Sequence, residues 1–259
     1  MKTLITGGAG FIGSHLAKLI PNAVILDRKP KRSTEHVYYH ADIRDDLRDI
    51  VPQFDRIYHL AALTDVQESI EDPDEYWSVN VDGTKNLCSL IESHQELIFA
   101  STAAAIDPVS PYGRSKRAAE KIILSSGGTV VRFYNVFGPE SKGVITYFID
   151  AALHGAPLNI YGDGLNSRTF VHVEDIARHL AHWRFNKVHY NPVDPAFIGG
   201  AAWTIEGLAQ CIIHLTGSYS TIEYSPARDG EVRESVALDE SYDFLPRLRQ
   251  QIQYQKDRI

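Results

Sequence analysis

Short apolar runs alternate with longer amphipathic stretches over the first half of this chain. Residues 2–6 read as a buried strand, followed by a glycine-rich turn and by helical character over 14–19. Residues 24–27, 37–39, 56–60 and 97–100 read as further strands. Between the last two, 73–94 predicts a long helix with Trp77, Val81, Thr84, Cys88 and Ile91 at helical spacing. Asn80 and Gly83 interrupt that face, and a glycine inside a helix costs ~1 kcal/mol against alanine, so a close backbone approach is expected at Gly83. Further on, 139–143 reads as a loop, 145–153 as a helix and the tail after Pro246 as a last, partly exposed helix. Residues 204–215 are amphipathic, with Ile205, Leu208, Ala209 and Ile212 on the apolar side. Strands alternating with helices predict an α/β fold, a Rossmann-type doubly wound parallel sheet.

The connection after the first strand adds chemistry to that pattern. Gly7, Gly10 and Gly13 let the backbone turn tightly, approach a pyrophosphate and pack helix on strand, and the helix start offers N–H groups and positive dipole to phosphate. Asp27 ends the second strand, 20 residues after Gly7, where a ribose-binding acid is expected. Its carboxylate would repel a 2′-phosphate and so favours NAD; Arg28, Lys29, Lys31 and Arg32 follow directly and leave NADP open. Asp42 is read either as an adenine contact or as the N-cap of a following helix, two compatible roles. Small residues at Ala61 and Ala62 would let a cofactor lie against the strand end, whereas His59 reads as structural.

Thr102, at the carboxyl end of a strand, is placed to bond a substrate hydroxyl. Tyr112 and Lys116 lie four residues apart, so on a helix both side chains share one face. A free phenol has a pKa of about 10, and bringing it to ~7 takes roughly 4 kcal/mol in favour of the phenolate. A neighbouring ammonium and a positively charged nicotinamide are the expected sources, making Tyr112 a base.

Composition narrows the classes. The 259 residues make one large domain or a domain with a lobe, and a net charge of −7 without a basic run beyond 28–32 argues against nucleic acid. Cys88 and Cys211 are isolated, so neither a disulfide scaffold nor a metal site is suggested. The first apolar run is too short for a signal peptide and no stretch approaches ~18 apolar residues, so a cytoplasmic protein with no membrane span is expected.

The ordered motifs GGAGFIG (7–13), Asp27, ADIRD (41–45), HLAA (59–62), SIEDPDEYWSVNVDGT (69–84), ST (101–102), YGRSK (112–116), VVRFYNVFGP (130–139), IYGDGLNSRTFVHVEDIA (160–177) and PARDGEVRES (226–235) resemble the extended short-chain dehydrogenase/reductase family, in its nucleotide-sugar epimerase/dehydratase branch. The resemblance implies catalytic roles for Thr102, Tyr112 and Lys116. It implies cofactor contacts at Gly7, Gly10, Phe11, Ile12, Gly13, Asp27, Arg28, Asp42, Ile43, Leu60, Ala61, Ala62, Asn80, Tyr112 and Lys116. It implies a nucleotide-diphosphate sugar as substrate, held by Thr102, Asn135, Arg168 and Arg228, the arginines on the diphosphate. Asp175 is expected to cap a helix, and a homodimer is implied. The cofactor domain would be 1–132 plus about 166–190, and a small substrate-binding lobe 133–165 with 192–259.

Two departures matter. Dehydratases of this branch carry an Asp-Glu pair directly after the threonine, and its sugar-acid decarboxylases keep a glutamate; here those places are Ala103 and Ala104. The segment between Thr102 and Tyr112 is also short. The resulting expectation is an NAD-dependent nucleotide-sugar 4-epimerase. A reductase or dehydrogenase releasing its cofactor each turnover stands second, and a non-catalytic dinucleotide-sensing scaffold third.

Overall fold

The computed structural model describes residues 1–30, 35–182, 196–228, 233–237, 239 and 241–259. In chain order the elements are β1 (Thr3–Thr6), α1 (Phe11–Leu19), β2 (Val24–Asp27), β3 (Val37–His40), β4 (Arg56–His59), α2 (Val66–Glu71), α3 (Pro73–Trp77), α4 (Gly83–Cys88) and β5 (Glu96–Thr102). There follow α5 (Pro111–Ser125), β6 (Thr129–Phe133), β7 (Asn135–Phe137), α6 (Val144–Leu153), β8 (Leu158–Tyr161), β9 (Ser167–His172) and α7 (Val173–Ala181). The chain closes with β10 (Ala196–Phe197), β11 (Ala201–Thr204), α8 (Ile205–Thr216), β12 (Ile222–Ser225), β13 (Glu234–Ser235) and α9 (Phe244–Lys256). They form two compact units, Met1–Phe133 with Ile176–Phe197, and Tyr134–Asp175 with Ile198–Ile259.

The first unit is a seven-stranded sheet in the order β10-β6-β5-β4-β1-β2-β3, with every pairing parallel. The interior strands β1, β4 and β6 are buried along their whole length, as a sheet covered on both faces requires. Leu4, Leu26, Ile57, Leu97, Phe99 and Val130 belong to its apolar core. The chain runs outward from β1 through β2 and β3 on one side, and through β4, β5 and β6 on the other. The crevice of such a sheet opens where this order reverses, at the carboxyl ends of β1 and β4. The Tyr58 hydroxyl, buried in β4, donates to the Leu180 carbonyl at 2.7 Å and ties in the last turn of α7.

The helix expected over 73–94 ends at Cys88 and is not regular. A π turn over Ser78–Asp82 separates α3 from α4. This wide turn directs three successive residues inward, Val79, Asn80 and Val81, and shifts the apolar face by one position. Tyr76 is therefore the buried aromatic before the turn, and Trp77 is left 46% exposed. The segment beyond Cys88 bends back toward β5 because Gln95 pins it: its amide donates to Val51 O at 2.9 Å and Phe54 O at 2.6 Å, and its oxygen accepts from Glu92 N at 2.8 Å.

In the second unit β9 pairs with β7 and β13 in parallel and with β11 antiparallel, while β8 and β12 form a separate parallel pair. Helices α6, α8 and α9 close its core around Phe148, Ile149, Phe170, Leu208, Phe244 and Leu248. Helix α9 starts before Pro246, which sits in its first turn, where a missing N–H costs nothing. Asp175 is not at the N-cap position of α7: it lies in the first turn of that helix and receives the Arg247 guanidinium and the Tyr242 hydroxyl.

Gly83 is closely approached by a side chain, not by backbone: a Cβ there would overlap Ile43 Cγ2. Alanine at 83 gains ~1 kcal/mol of helix propensity but overpacks a buried contact at a cost of ~1–3 kcal/mol. Gly83→Ala is therefore expected to be net destabilising in urea unfolding. Combined with Ile43→Ala it should be more stable than the sum of the two single effects; strict additivity would show that the contact does not govern the site.

Candidate active site

The turn after β1 is held from both sides. Gly7 has φ +72°, its N–H bonds Leu26 O at 2.8 Å, and a Cβ on it would lie 2.6 Å from Ala61 N and 2.7 Å from the Leu60 carbonyl carbon. A Cβ on Gly13 would lie 2.7 Å from Gly8 Cα, so α1 starts in direct contact with the turn. Gly10 is the N-cap of α1 and offers no side-chain cap, so no side chain competes for the helix's first N–H groups. Phe11 and Ile12 form the half-buried first turn.

Asp27 is buried at the end of β2, with Oδ2 accepting from Ala9 N and Oδ1 from Lys29 N, both at 2.9 Å. One carboxylate thus fixes both the glycine turn and the start of the next connection. Arg28 points at acids: its Nη1 is 3.6 Å from Glu75 and 4.0 Å from Asp42. Arg44 forks onto Asp42 at 2.9 and 3.0 Å and reaches Glu75 at 2.9 Å. Its hydrogen bonds hold the Asp42 carboxyl below the usual range. Asp42 therefore caps no helix; it closes a turn on Arg44. Ile43 is buried in the core facing Gly83. Lys31 and Arg32 lie outside the described residues.

Leu60, Ala61 and Ala62 follow β4 half-buried beneath the glycine turn. His59, just before them, is fully buried: Nδ1 meets Thr6 Oγ1 at 2.8 Å and Nε2 meets Thr84 Oγ1 at 3.0 Å. Thr84 donates its own hydroxyl proton to Asn80 O at 2.6 Å, so it accepts from His59 Nε2–H. Burial, then the charge of Lys116, pushes His59 down to about 3, leaving a neutral imidazole. Asn80 exchanges bonds with both backbone groups of Leu63 and donates to Ser115 Oγ at 3.0 Å, and Ser115 donates to Tyr112 O at 2.8 Å. A continuous chain of neutral buried groups thus runs from the end of β1 to the start of α5.

Helix α5 begins with Ser110, whose hydroxyl accepts from Gly113 N at 3.1 Å, followed by Pro111. This start puts Tyr112 and Lys116 on the buried face, 8% and 3% exposed. Burial takes the Tyr112 phenol up to about 12 against a hydrogen bond from Thr102 that pulls it down. The Tyr76 ring meets it edge-on, with centroids 6.4 Å apart. Lys116 Nζ donates to Ala100 O at 2.7 Å and stands 3.9 Å from the Phe99 centroid; burial brings it down to about 7. Thr102 ends β5 with its hydroxyl accepting from Ala104 N at 3.2 Å. Ala103–Ala105 form a 3₁₀ turn, so methyl groups follow Thr102. Arg117 clamps that turn through Ala105 O at 2.9 Å and Ile106 O at 2.8 Å, and Arg114 holds Val109 O at 3.0 Å.

Three expected site residues belong to the second unit. Asn135 donates to Thr169 O at 3.0 Å. Arg168 bonds Ser167 O and Arg233 O at 2.9 and 3.1 Å. Arg228 is exposed and lies 3.5 Å from the Tyr161 ring centroid, a cation–π stack. Residues 229–232 of the adjoining motif fall outside the described residues. The clamp arginines 114 and 117, Ser110, Ser115 and Tyr76 escaped the sequence reading. Their signal was present for α5, where polar positions 112, 115 and 116 share the stripe that also carries apolar 119 and 123.

The model of the NAD dependent epimerase/dehydratase family matches residues 3–191. A UDP-N-acetyl-alpha-D-glucosaminuronate decarboxylase of Bacillus cytotoxicus is 30% identical, over 87% of this chain and 83% of that protein. A UDP-glucose 4-epimerase of Halalkalibacterium halodurans is 27% identical, over 93% of this chain and 88% of its own length. The crystal structure of UDP-glucose 4-epimerase from Thermotoga maritima with UDP-glucose superimposes with a TM-score of 0.88 at 27% identity, covering 100% of this chain and 99% of that one.

The glycine turn gives a direct test of its own packing. Gly7→Ala forces a positive φ on a side chain that meets backbone, at a cost of about 2 kcal/mol or more. Loss of NAD binding in calorimetry is expected along with a lowered melting temperature. Unchanged affinity would mean that the turn does not cradle the cofactor.

Proposed function

Because the chain belongs to the NAD dependent epimerase/dehydratase family, we propose that it is a nucleotide-sugar 4-epimerase in which Tyr112 is the base. One observation supports this reading: Thr102 ends β5, Tyr112 and Lys116 are buried on one face of α5, and Ala103 and Ala104 supply no acid or base directly after the threonine. Oxidation and reduction of a carbinol need one proton-transfer group. Elimination of water needs a second acid–base pair, which these two methyl positions do not provide.

The residues fit NAD. The turn at Gly7 to Gly13 leaves a backbone cradle that a Cβ would fill, at the start of a helix without a side-chain cap. Asp27 stands at the end of β2, and the neighbouring Arg28 is drawn toward Asp42 and Glu75, away from service to a 2′-phosphate. Asp42, Asn80, Tyr112 and Lys116 complete the contacts we assign, and the first unit is the cofactor domain. When bound, NAD supplies the reversible hydride acceptor at C4 of the sugar, so the carbon is oxidised and then reduced with no net change.

The chain's own part is proton transfer and position. Thr102 orients the C4 hydroxyl, and Tyr112 takes its proton and later returns it. The phenol starts from about 12, so positive charge must bring it into range; Lys116 and the bound nicotinamide are the sources we assign. Arg168 and Arg228, with Asn135, hold the diphosphate while the 4-keto sugar presents its other face; guanidinium forks suit phosphate oxygens. The second unit is then the substrate lobe, and the homodimer implied by the resemblance belongs to the same proposal. Among the described residues no helix is long and apolar enough to cross a membrane.

The 30% identical decarboxylase and the basic run at 28–32 favour rival cycles on the same site, decarboxylation or NADPH-dependent reduction. Denaturing the purified protein and quantifying released cofactor separates the cycles. Near-stoichiometric NAD, with C4 inversion in a panel of UDP-, dTDP- and GDP-sugars, is the expected result. Carbon dioxide from a UDP-uronic acid, or little bound cofactor with preference for NADPH, would replace the reading. Tyr112→Phe should lower turnover by at least ~100-fold with NAD still bound, as removal of a general base does; loss of cofactor instead would mark Tyr112 as structural.

A further inference from the structure

Buried charge in the first unit gathers one helical turn beyond Lys116. Glu120 is 3% exposed and Arg132 8%. Glu120 Oε1 accepts from Ser101 Oγ at 2.6 Å and from Arg132 Nε at 2.8 Å, and Oε2 accepts from Arg132 Nη2 at 2.6 Å. Lys116 is moored to Ala100 O and Glu120 to Ser101, consecutive residues of β5, while Arg132 is the register partner of Ser101 in β6. A sealed ion pair of this kind adds little stability over a well-packed apolar pair of the same volume. Its place one helical turn from Lys116 points to a role other than stability.

We propose that Glu120 is a positioning residue for the reaction: clamped by Arg132 and Ser101, it sets the rotation of α5 on the strand ends and keeps Lys116 an ammonium behind Tyr112. The proposal rests on the reading of Tyr112 as the base. Among the described residues, the groups packed around Lys116 leave this task to Glu120. His59 of β4 is neutral, Tyr112 of α5 and Tyr76 of α3 are protonated phenols, and the Arg132 guanidinium of β6 is bound to Glu120 itself. Burial favours loss of the Lys116 proton and the Glu120 carboxylate opposes it. Removing that charge lowers Lys116 further, and it also takes the Glu120 carboxylate away from the Arg132 cation. A neutral Lys116 no longer supports the Tyr112 phenolate, so the phenol titrates higher.

Tyrosinate absorbance of the NAD-loaded protein, titrated with alkali, reads this without any sugar substrate. The difference between wild type and Tyr112→Phe isolates the Tyr112 phenol. Glu120→Gln keeps the shape and should move that titration up by about one pH unit, an order of magnitude in phenolate at fixed pH. The value of kcat should fall about tenfold with KM little changed, and Glu120→Asp should restore part of both. Glu120→Met/Arg132→Met separates charge from packing: a melting temperature near wild type with the titration still displaced supports the proposal. Wild-type titration in either charge-removing variant overturns it. Wild type and Tyr112→Phe titrating alike throughout the range below the ordinary phenol titration overturns the assignment of Tyr112 instead, and the proposal with it.

Discussion

A helix that turns a tyrosine, a lysine, a glutamate and a serine toward a protein interior must find a partner for each before it can pack. Desolvating an unpartnered charge costs several kcal/mol, enough to expel the helix from the sheet. In α5 this need is met by protein groups nearby: Lys116 by Ala100 O, Ser115 by Asn80 and Tyr112 O, Glu120 by Ser101 and Arg132. These partners come from the end of β5, from β6 and from the π turn, so each of those elements has one acceptable position relative to α5. The geometry around Tyr112 follows from satisfying this stripe rather than from hydrophobic packing alone.

The opposite half of the crevice is built by subtraction. Side chains are missing where β1, β4 and α1 converge, and the backbone at Gly7 sits against Ala61 with no space for a methyl. Asp27 then closes the turn with two backbone bonds. His59 joins the two halves as a neutral ring between Thr6 and Thr84, and Asn80 carries the connection on to Ser115. Rigidity in this unit is therefore carried by short neutral bonds across the sheet's reversal point, where the fold leaves its crevice.

Local patterns made much of this legible. The spacing of Gly7, Gly10 and Gly13, the acid at Asp27 and the Tyr112–Lys116 pair each lie within one turn or one strand–helix unit, so sequence distance reports spatial distance. The doubly wound sheet followed from the alternation of runs, and the structure has it. What escaped is what depends on distant residues. Arg247 takes up Asp175 from 72 positions away, and nothing near Asp175 announces this. The π turn hides because periodicity assumes a constant pitch, and one wide turn exchanged Trp77 for Tyr76 on the inner face. Glu120 and Arg132 look like ordinary surface charges until the register of β5 and β6 sets them side by side.

The two charge clusters also differ in their contact with the surrounding ions. At the rim, the side chains of Asp42, Arg44, Glu75 and Arg28 are 20%, 33%, 37% and 48% exposed. Those of Glu120 and Arg132 are 4% and 10% exposed. Mobile ions screen exposed pairs within about 10 Å at 0.1 M salt and barely reach sealed ones. Raising the ionic strength therefore loosens the rim beside Asp27 while leaving the interior behind Lys116 intact, which makes salt a reagent that acts on one end of the crevice and spares the other.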